Sequence, residues 1–243
     1  MFFKFSKNPL VDKLKVIIEF LSKNKKIALY WLLGILLFLA ILAGYFVYRI
    51  GADRRAYSDL KKSMAVFDGK VVKVVTNEVL GENEFKTETE KWERVVDVFD
   101  AMYKKHKSTG IAPIFLSYKV DALINLSKLS QAIEIQNLLL KRISKKSALK
   151  QYNTIKLALM LIDLDQELKI NEGLELLKLI ALENGNVAQD EALFHLGEYY
   201  WYQKDYIQAA NYWNQLTIKF GKTSAHPSVW VDMAKPILKT IVA

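Results

Sequence analysis

The sequence contains no cysteine. Disulfides, thiol nucleophiles and thiolate metal sites are excluded by that absence alone. Histidine is scarce. His106, His195 and His226 stand far apart, and none has the H-E-x-x-H spacing of a zinc site. His195 falls on an amphipathic helix and reads as an ordinary packing or surface histidine. There is no glycine-rich phosphate loop and no G-x-S-x-G elbow. Asp163 and Asp165 are two residues apart, which on a helix turns them to different faces and argues against paired acid–base work. The expectation is a non-enzymatic protein with no catalytic residue, no metal ligand and no cofactor.

Charge is missing from Ile27 to Tyr48, 22 residues in succession. A helix of about 20 apolar residues crosses a hydrocarbon core of roughly 30 Å. Tyr30 and Trp31 lie near one end of this run and Tyr45 and Tyr48 near the other, as aromatic residues do at membrane interfaces. A cleaved signal peptide has a shorter core followed by a small-x-small site. This run ends in Tyr48-Arg49, which favours an uncleaved signal anchor. Ala40 and Gly44 form a small-xxx-small pair, a weak helix-packing signal.

The net charge of +9 suggests nucleic acid until it is divided. Residues 1–26 carry seven lysines against Asp12 and Glu19, a net +5. Residues 49–62 carry Arg49, Arg54, Arg55, Lys61 and Lys62 against Asp53 and Asp59, a net +3. Residues 63–243 carry only +1. The positive charge flanks the apolar run, which fits lipid headgroups and predicts no nucleic-acid partner. Basic residues are nearly balanced across the run. A short lysine-rich tail is costly to translocate, whereas a long domain after a signal anchor crosses largely regardless of charge. The N-terminus is therefore expected in the cytoplasm. Residues 1–26 read as a basic cytoplasmic tail, with Leu10, Leu14, Ile17, Ile18 and Leu21 on one helical face; a surface helix on the membrane and a frayed tail both fit.

The most informative stretch is Asp190 to Phe220. Leu193, Leu196, Gly197 and Tyr200 recur on one face of a first helix, and Tyr206, Ala209, Ala210, Trp213 and Leu216 on a second. Asp205 is placed to cap the second helix, with Gln208 three residues on, and Gly221 follows as a stop. Gly197 and Ala209 allow two helix backbones to approach closely. Leu193, Leu196, Gly197, Tyr200, Ala209, Trp213 and Leu216 occupy the marked slots of the tetratricopeptide repeat, which this stretch resembles; Gly221 stands where the family's closing proline would be.

Residues 49–86 read as a membrane-proximal helical segment, starting through Tyr57, Leu60 and Met64, with a turn at Asp68-Gly69. Val71–Leu80 is β-branched but is assigned to helix by its neighbours, and Gly81–Lys86 to a polar loop. Thr87 and Glu90 form a capping box before a helix striped by Trp92, Val95, Val96, Phe99 and Tyr103. Residues 87–243 then form the repeat domain. Pro113 suits the first turn of a helix with Leu116, Val120, Leu123 and Ile124 inward; its partner begins near Gln131. A second pair follows, the later helix having Asn171 as a possible cap. Ala132, Gly173 and Ala209 are aligned as corresponding small positions. The last amphipathic stretch, from Trp230 to Ile241, reads as a capping helix, with Pro236 expected to kink or divide it.

The fold class expected is all-α: an N-terminal transmembrane helix, a short tetratricopeptide-like α-solenoid of helical hairpins, and a C-terminal capping helix. The order of tail, anchor and repeats resembles the YfgM-like ancillary subunits of the bacterial Sec translocon. That resemblance implies a single-pass inner-membrane protein with a periplasmic domain that binds chaperones or newly exported proteins. An envelope or cell-division assembly factor, and an organelle-surface import receptor with cytosolic repeats, are the alternatives. By the family alignment the concave-groove positions are Glu191, Phe194, Glu198, Trp201 and Tyr202, where aromatics beside carboxylates suit a protein or peptide partner. Coverage of these residues by another helix fits the sequence equally well.

Overall fold

The computed structural model describes residues 23–72, 81–145, 147–221, 224 and 227–242. The N-terminal stretch through Ser22, most of Val71–Leu80 and His226 lie outside the described residues. The described chain is almost entirely helical. In order it forms α1 (Lys25–Phe67), β1 (Lys70–Val71), β2 (Glu84–Phe85), α2 (Glu88–His106), α3 (Ala112–Asn125), α4 (Leu129–Arg142), α5 (Ala148–Asp163), α6 (Glu167–Leu182), α7 (Gln189–Tyr202), α8 (Tyr206–Phe220) and α9 (Val229–Val242).

It divides into two compact units, Met1–Arg55 and Ala56–Ala243, the division falling within α1. In the first unit, α1 is apolar and long enough to cross a membrane, and the residues of its most apolar stretch are unburied. A solvent-exposed helix bare of charge on every side is a poor solution in water and a good one in hydrocarbon.

The second unit begins at Ala56, which is fully buried against Val95, Phe99 and Phe115. Thr87 caps α2 by accepting from the Glu90 amide at 3.1 Å. The Glu90 carboxylate reaches back to the Lys86 amide at 2.9 Å, one residue before the position a standard capping box uses. Phe67 sits at the centre of an aromatic cluster, with ring centroids 5.5 Å from Trp92 and 5.0 Å from Tyr118. The expected helix at Val71 is replaced by a strand. Lys70 and Val71 pair in parallel with Glu84 and Phe85, inside the segment expected to be a loop. Gly69 permits this: a Cβ there would fall 2.7 Å from the Asn83 carbonyl oxygen and 2.6 Å from the Phe85 ring. Val71 and Val72, both β-branched, then favour the extended chain.

From α2 onward each helix packs mainly on the helices before and after it in sequence; α9 also packs on α7. Three hairpins, α3–α4, α5–α6 and α7–α8, close in the same way. Each turn contains a non-glycine residue with left-handed backbone: Ser127 (φ 56°), Asp165 (φ 54°) and Lys204 (φ 62°), 38 and 39 residues apart. At Lys204 the pattern is a Schellman motif, in which the Asp205 amide donates to the Tyr200 carbonyl at 2.9 Å and the Lys204 amide to Trp201 at 3.0 Å. Ser127 repeats it, with Lys128 donating to Leu123 and Ser127 to Ile124. Counted from these residues, Ala132 and Ala209 are equivalent but Gly173 lies three places later. The alignment of Gly173 with the two alanines is therefore corrected by nearly one turn. Asn171 is not a cap either; α6 starts at Glu167. Ile124 is partly exposed rather than inward, and Pro236 lies within an undivided α9.

Hairpins are joined to one another by buried polar contacts as well as apolar ones. Gln136 of α4 is fully buried, and its Nε2 donates to the carbonyl and Oδ1 of Asn153 in α5, at 2.7 and 3.0 Å. At the start of the unit, the Asp59 carboxylate accepts from Lys105 Nζ at 2.7 Å and faces His106 Nε2 at 2.9 Å, while the His106 ring stacks on Phe115. The Lys105 and His106 hydrogen bonds hold the Asp59 carboxyl below its usual range. A depressed carboxyl stabilises the fold above its unfolded value, about 3.9, and loses that contribution as pH falls through the folded value. Asp59→Asn is expected to cost about 1 kcal/mol or less at neutral pH. The deficit relative to wild type should shrink below about pH 4; an unchanged deficit in denaturant melts at low pH would show that Asp59 acts through packing alone.

Candidate partner-binding site

The expected site lies on α7. Asn186 orders its approach by accepting from the Ala188 amide at 3.0 Å, and Asp190 and Glu191 occupy the first turn, where carboxylates complement the helix dipole. Ala192, Leu193, Leu196 and Gly197 are buried towards the core. Trp213 of α8 packs directly over Gly197, and a Cβ at Gly197 would fall 2.6 Å from Trp213 Cδ1. The indole Nε1 donates to the Phe194 carbonyl oxygen at 3.1 Å. A glycine facing an indole is what sets the spacing of this hairpin.

The five expected site residues separate into three groups. Phe194 is buried, with its ring 4.9 Å from Trp230 of α9 and 6.4 Å from Trp213. Trp201 is half-buried, 4.9 Å from Tyr206 and 6.1 Å from Trp213. These two rings belong to the packing of α7 against α8 and α9. Glu191 and Glu198 flank His195 at helical spacing. His195 Nδ1 lies 2.9 Å from Glu198 Oε2, and the His195 ring is 5.3 Å from Trp230. Burial pushes the Glu191 carboxyl above its usual range; His195 opposes that shift and Asp190 adds to it. Tyr202, at the end of α7, is 74% exposed.

No protein-family model, curated protein or solved structure matches the chain.

Two residues join Tyr202 that the sequence reading did not place in the site. Ile207 is 82% exposed and Tyr206 is 45% exposed, both in the first turn of α8. Lys204, in its left-handed conformation, turns the chain between them, and Asp205 caps α8 by accepting from the Gln208 amide at 3.1 Å. Tyr202 on one side and Tyr206 and Ile207 on the other thus expose a largely aromatic tip around the polar turn Gln203-Lys204-Asp205, with Tyr206 beside the Trp201 ring. Periodicity cannot find such a tip, because it lies at the turn, where two helical registers meet. The signal available in the sequence was the density of aromatics on both sides of Gln203-Lys204-Asp205.

Proposed function

We propose that this chain is a membrane-tethered scaffold for other proteins and not a catalyst. The apolar α1 serves as a single-pass anchor, the three hairpins form a short tetratricopeptide-like solenoid, and α9 caps its end. The recurrence of Ser127, Asp165 and Lys204 at repeat-like spacing and the neighbour-on-neighbour packing support the solenoid reading. The resemblance to YfgM-like subunits extends the proposal to the bacterial inner membrane, with the N-terminus cytoplasmic and the repeats periplasmic. The partners are then chaperones or exported proteins near the Sec translocon.

The observation that carries the binding role is the exposed aromatic tip of the α7–α8 turn. Tyrosine side chains presented at low conformational cost are favoured interface anchors, and truncating an interfacial one commonly costs more than about 2 kcal/mol. Tyr202→Ala in the full chain is expected to retain helicity and membrane association while losing its crosslinked partners in native membranes. Tyr202 is the appropriate probe because Trp201 also packs on Trp213. A folded Tyr202→Ala protein with an unchanged set of crosslinks would place binding elsewhere.

A further inference from the structure

Residues 63–243 carry almost no net charge, yet their charged side chains are unevenly placed along the helices of the second unit. Polar contacts trace one end from helix to helix. Asp59 of α1 meets Lys105 and His106 at the end of α2. Arg142, ending α4, donates to the Lys107 carbonyl at 2.9 Å, and Lys150 in α5 donates to Leu140 at 3.1 Å. Tyr152 donates to the Val187 carbonyl at 3.2 Å, and Lys219 of α8 reaches Asn184 at 3.5 Å. The loops after α2, α4 and α6 therefore share this end with the point where the chain enters the unit at Ala56.

Lys104, Lys105, Lys107, Lys141, Arg142 and Lys145 are gathered there, all exposed, with Glu183 lining the same shallow cavity as Lys145. Asp59 and Asp100 engage Lys105 and Lys104. Lys107, Lys141 and Lys145 have no carboxylate partner among the described residues. The opposite end is the more acidic: Glu82, Glu84, Glu88, Glu90 and Glu93 surround the start of α2, beside Lys70, Lys86 and Lys91, and Asp163, Asp165 and Glu167 the α5–α6 turn, beside Lys169. The 19 residues of α2 separate the two groups by roughly 28 Å. Leu149, Tyr152 and Val187 add exposed apolar side chains to the basic end.

We propose that this basic end docks on anionic lipid headgroups of the bilayer that Ile27–Tyr48 crosses, with the acidic end turned away from it. The inference rests on the reading of α1 as an anchor. Eight peptide steps separate Tyr48 from Ala56 and span at most about 27 Å even when extended. The basic end is thus held near the surface by the chain itself, and tethering replaces the entropy that free association would cost. Each lysine in the headgroup field of an anionic membrane contributes roughly fivefold to partitioning. Three unpaired lysines on a tethered surface suffice to orient the unit. Nucleic acid is the weaker candidate: the basic residues cap helix ends in a compact group, and exposed Tyr152 beside them makes no row of aromatics on which successive bases would stack.

The absence of native cysteine makes the test direct. Val187→Cys at the basic end and Leu168→Cys at the acidic end, each in the full chain, are labelled with a fluorophore and reconstituted into nanodiscs carrying headgroup quenchers. With about 30 mol % phosphatidylglycerol at low salt, quenching at position 187 should exceed that at 168 by roughly threefold or more. The difference should vanish in pure phosphatidylcholine, at about 500 mM salt, and in a Lys107→Glu, Lys141→Glu, Lys145→Glu variant of unchanged helicity. Equal quenching at both positions, or a difference indifferent to lipid charge, would overturn the proposal. Unchanged quenching in the triple variant together with lost retention of duplex DNA or RNA would assign the lysines to nucleic acid and overturn it as well. Failure of the full chain to enter nanodiscs would remove the anchor itself; entry without charge-dependent quenching would remove only the docking.

Discussion

Trp213→Ala is expected to destabilise the second unit by roughly 3–5 kcal/mol, the range for removing a fully buried large aromatic. Trp213 is wholly buried, touches the rings of Phe194 and Trp201, and lies over Gly197. The indole also supplies the hydrogen bond to the Phe194 carbonyl. Trp213→Phe keeps most of the packing and loses that donor, so it should cost about 1–2 kcal/mol. Thermal melts read the difference: for a unit of this size, 3–5 kcal/mol corresponds to a fall of roughly 10 °C in Tm. A Trp213→Ala protein that melts within a degree or two of wild type would show that the α7–α8 hairpin is not packed through the indole.

The second large effect reverses a general trend. In an exposed helix, replacing glycine by alanine stabilises by about 1 kcal/mol. At Gly173 the same change is expected to destabilise by roughly 1–3 kcal/mol, because an added Cβ would fall 2.6 Å from the Ala158 carbonyl oxygen and 2.9 Å from Ile162 Cγ1. A backbone oxygen cannot turn aside as a side chain can. Gly197→Leu should cost as much or more, since Trp213 is enclosed on all sides. Gly110 supplies the comparison: a Cβ there meets nothing within 4 Å, and Gly110→Ala should change stability by less than about 0.5 kcal/mol. Stabilisation at Gly173 in chemical denaturation would mean that α5 and α6 lie further apart than described.

The two hairpins achieve close contact by opposite means. Gly197 sits in the first helix of α7–α8 and faces a large residue in the second. In α5–α6 the glycine is in the second helix and faces the backbone at Ala158. Sequence alignment by small residues is misled by this exchange, which is why Gly173 was paired with Ala132 and Ala209. The recurring left-handed turn residues carry the register instead, but serine, aspartate and lysine share no side-chain property that marks them. Where apolar periodicity was strong, as in Trp92 to Tyr103 and Leu193 to Leu216, helices and their inward faces were legible, except at Tyr206, which the first turn of α8 leaves 45% exposed. The β1–β2 pair was not, because two-residue strands leave no period to detect. The Asp59–His106 contact joins residues 47 positions apart, and single-residue patterns contain no record of such pairings. In the candidate site the residue types were legible on α7. Their accessibility was not, since Phe194 is covered by a tryptophan from α9, a helix that docks on α7 and α8 from outside this stretch of sequence.

The neighbour-on-neighbour packing has a consequence for how this chain comes into being. A fold whose contacts are mostly local closes small loops and gains contacts early, so its search is fast. Each hairpin from α3 to α8 finds its main partners as soon as the next helix is available, without waiting for a distant segment. A chain delivered from its N-terminus, with α1 already held, can settle helix by helix in the order of synthesis. Among the helices described, α9 follows α7 and α8 in the chain, and its Trp230 covers the Phe194 ring. Until α9 docks, the Phe194 ring on α7 lacks that cover, and aromatic surface that is buried in the folded unit faces solvent.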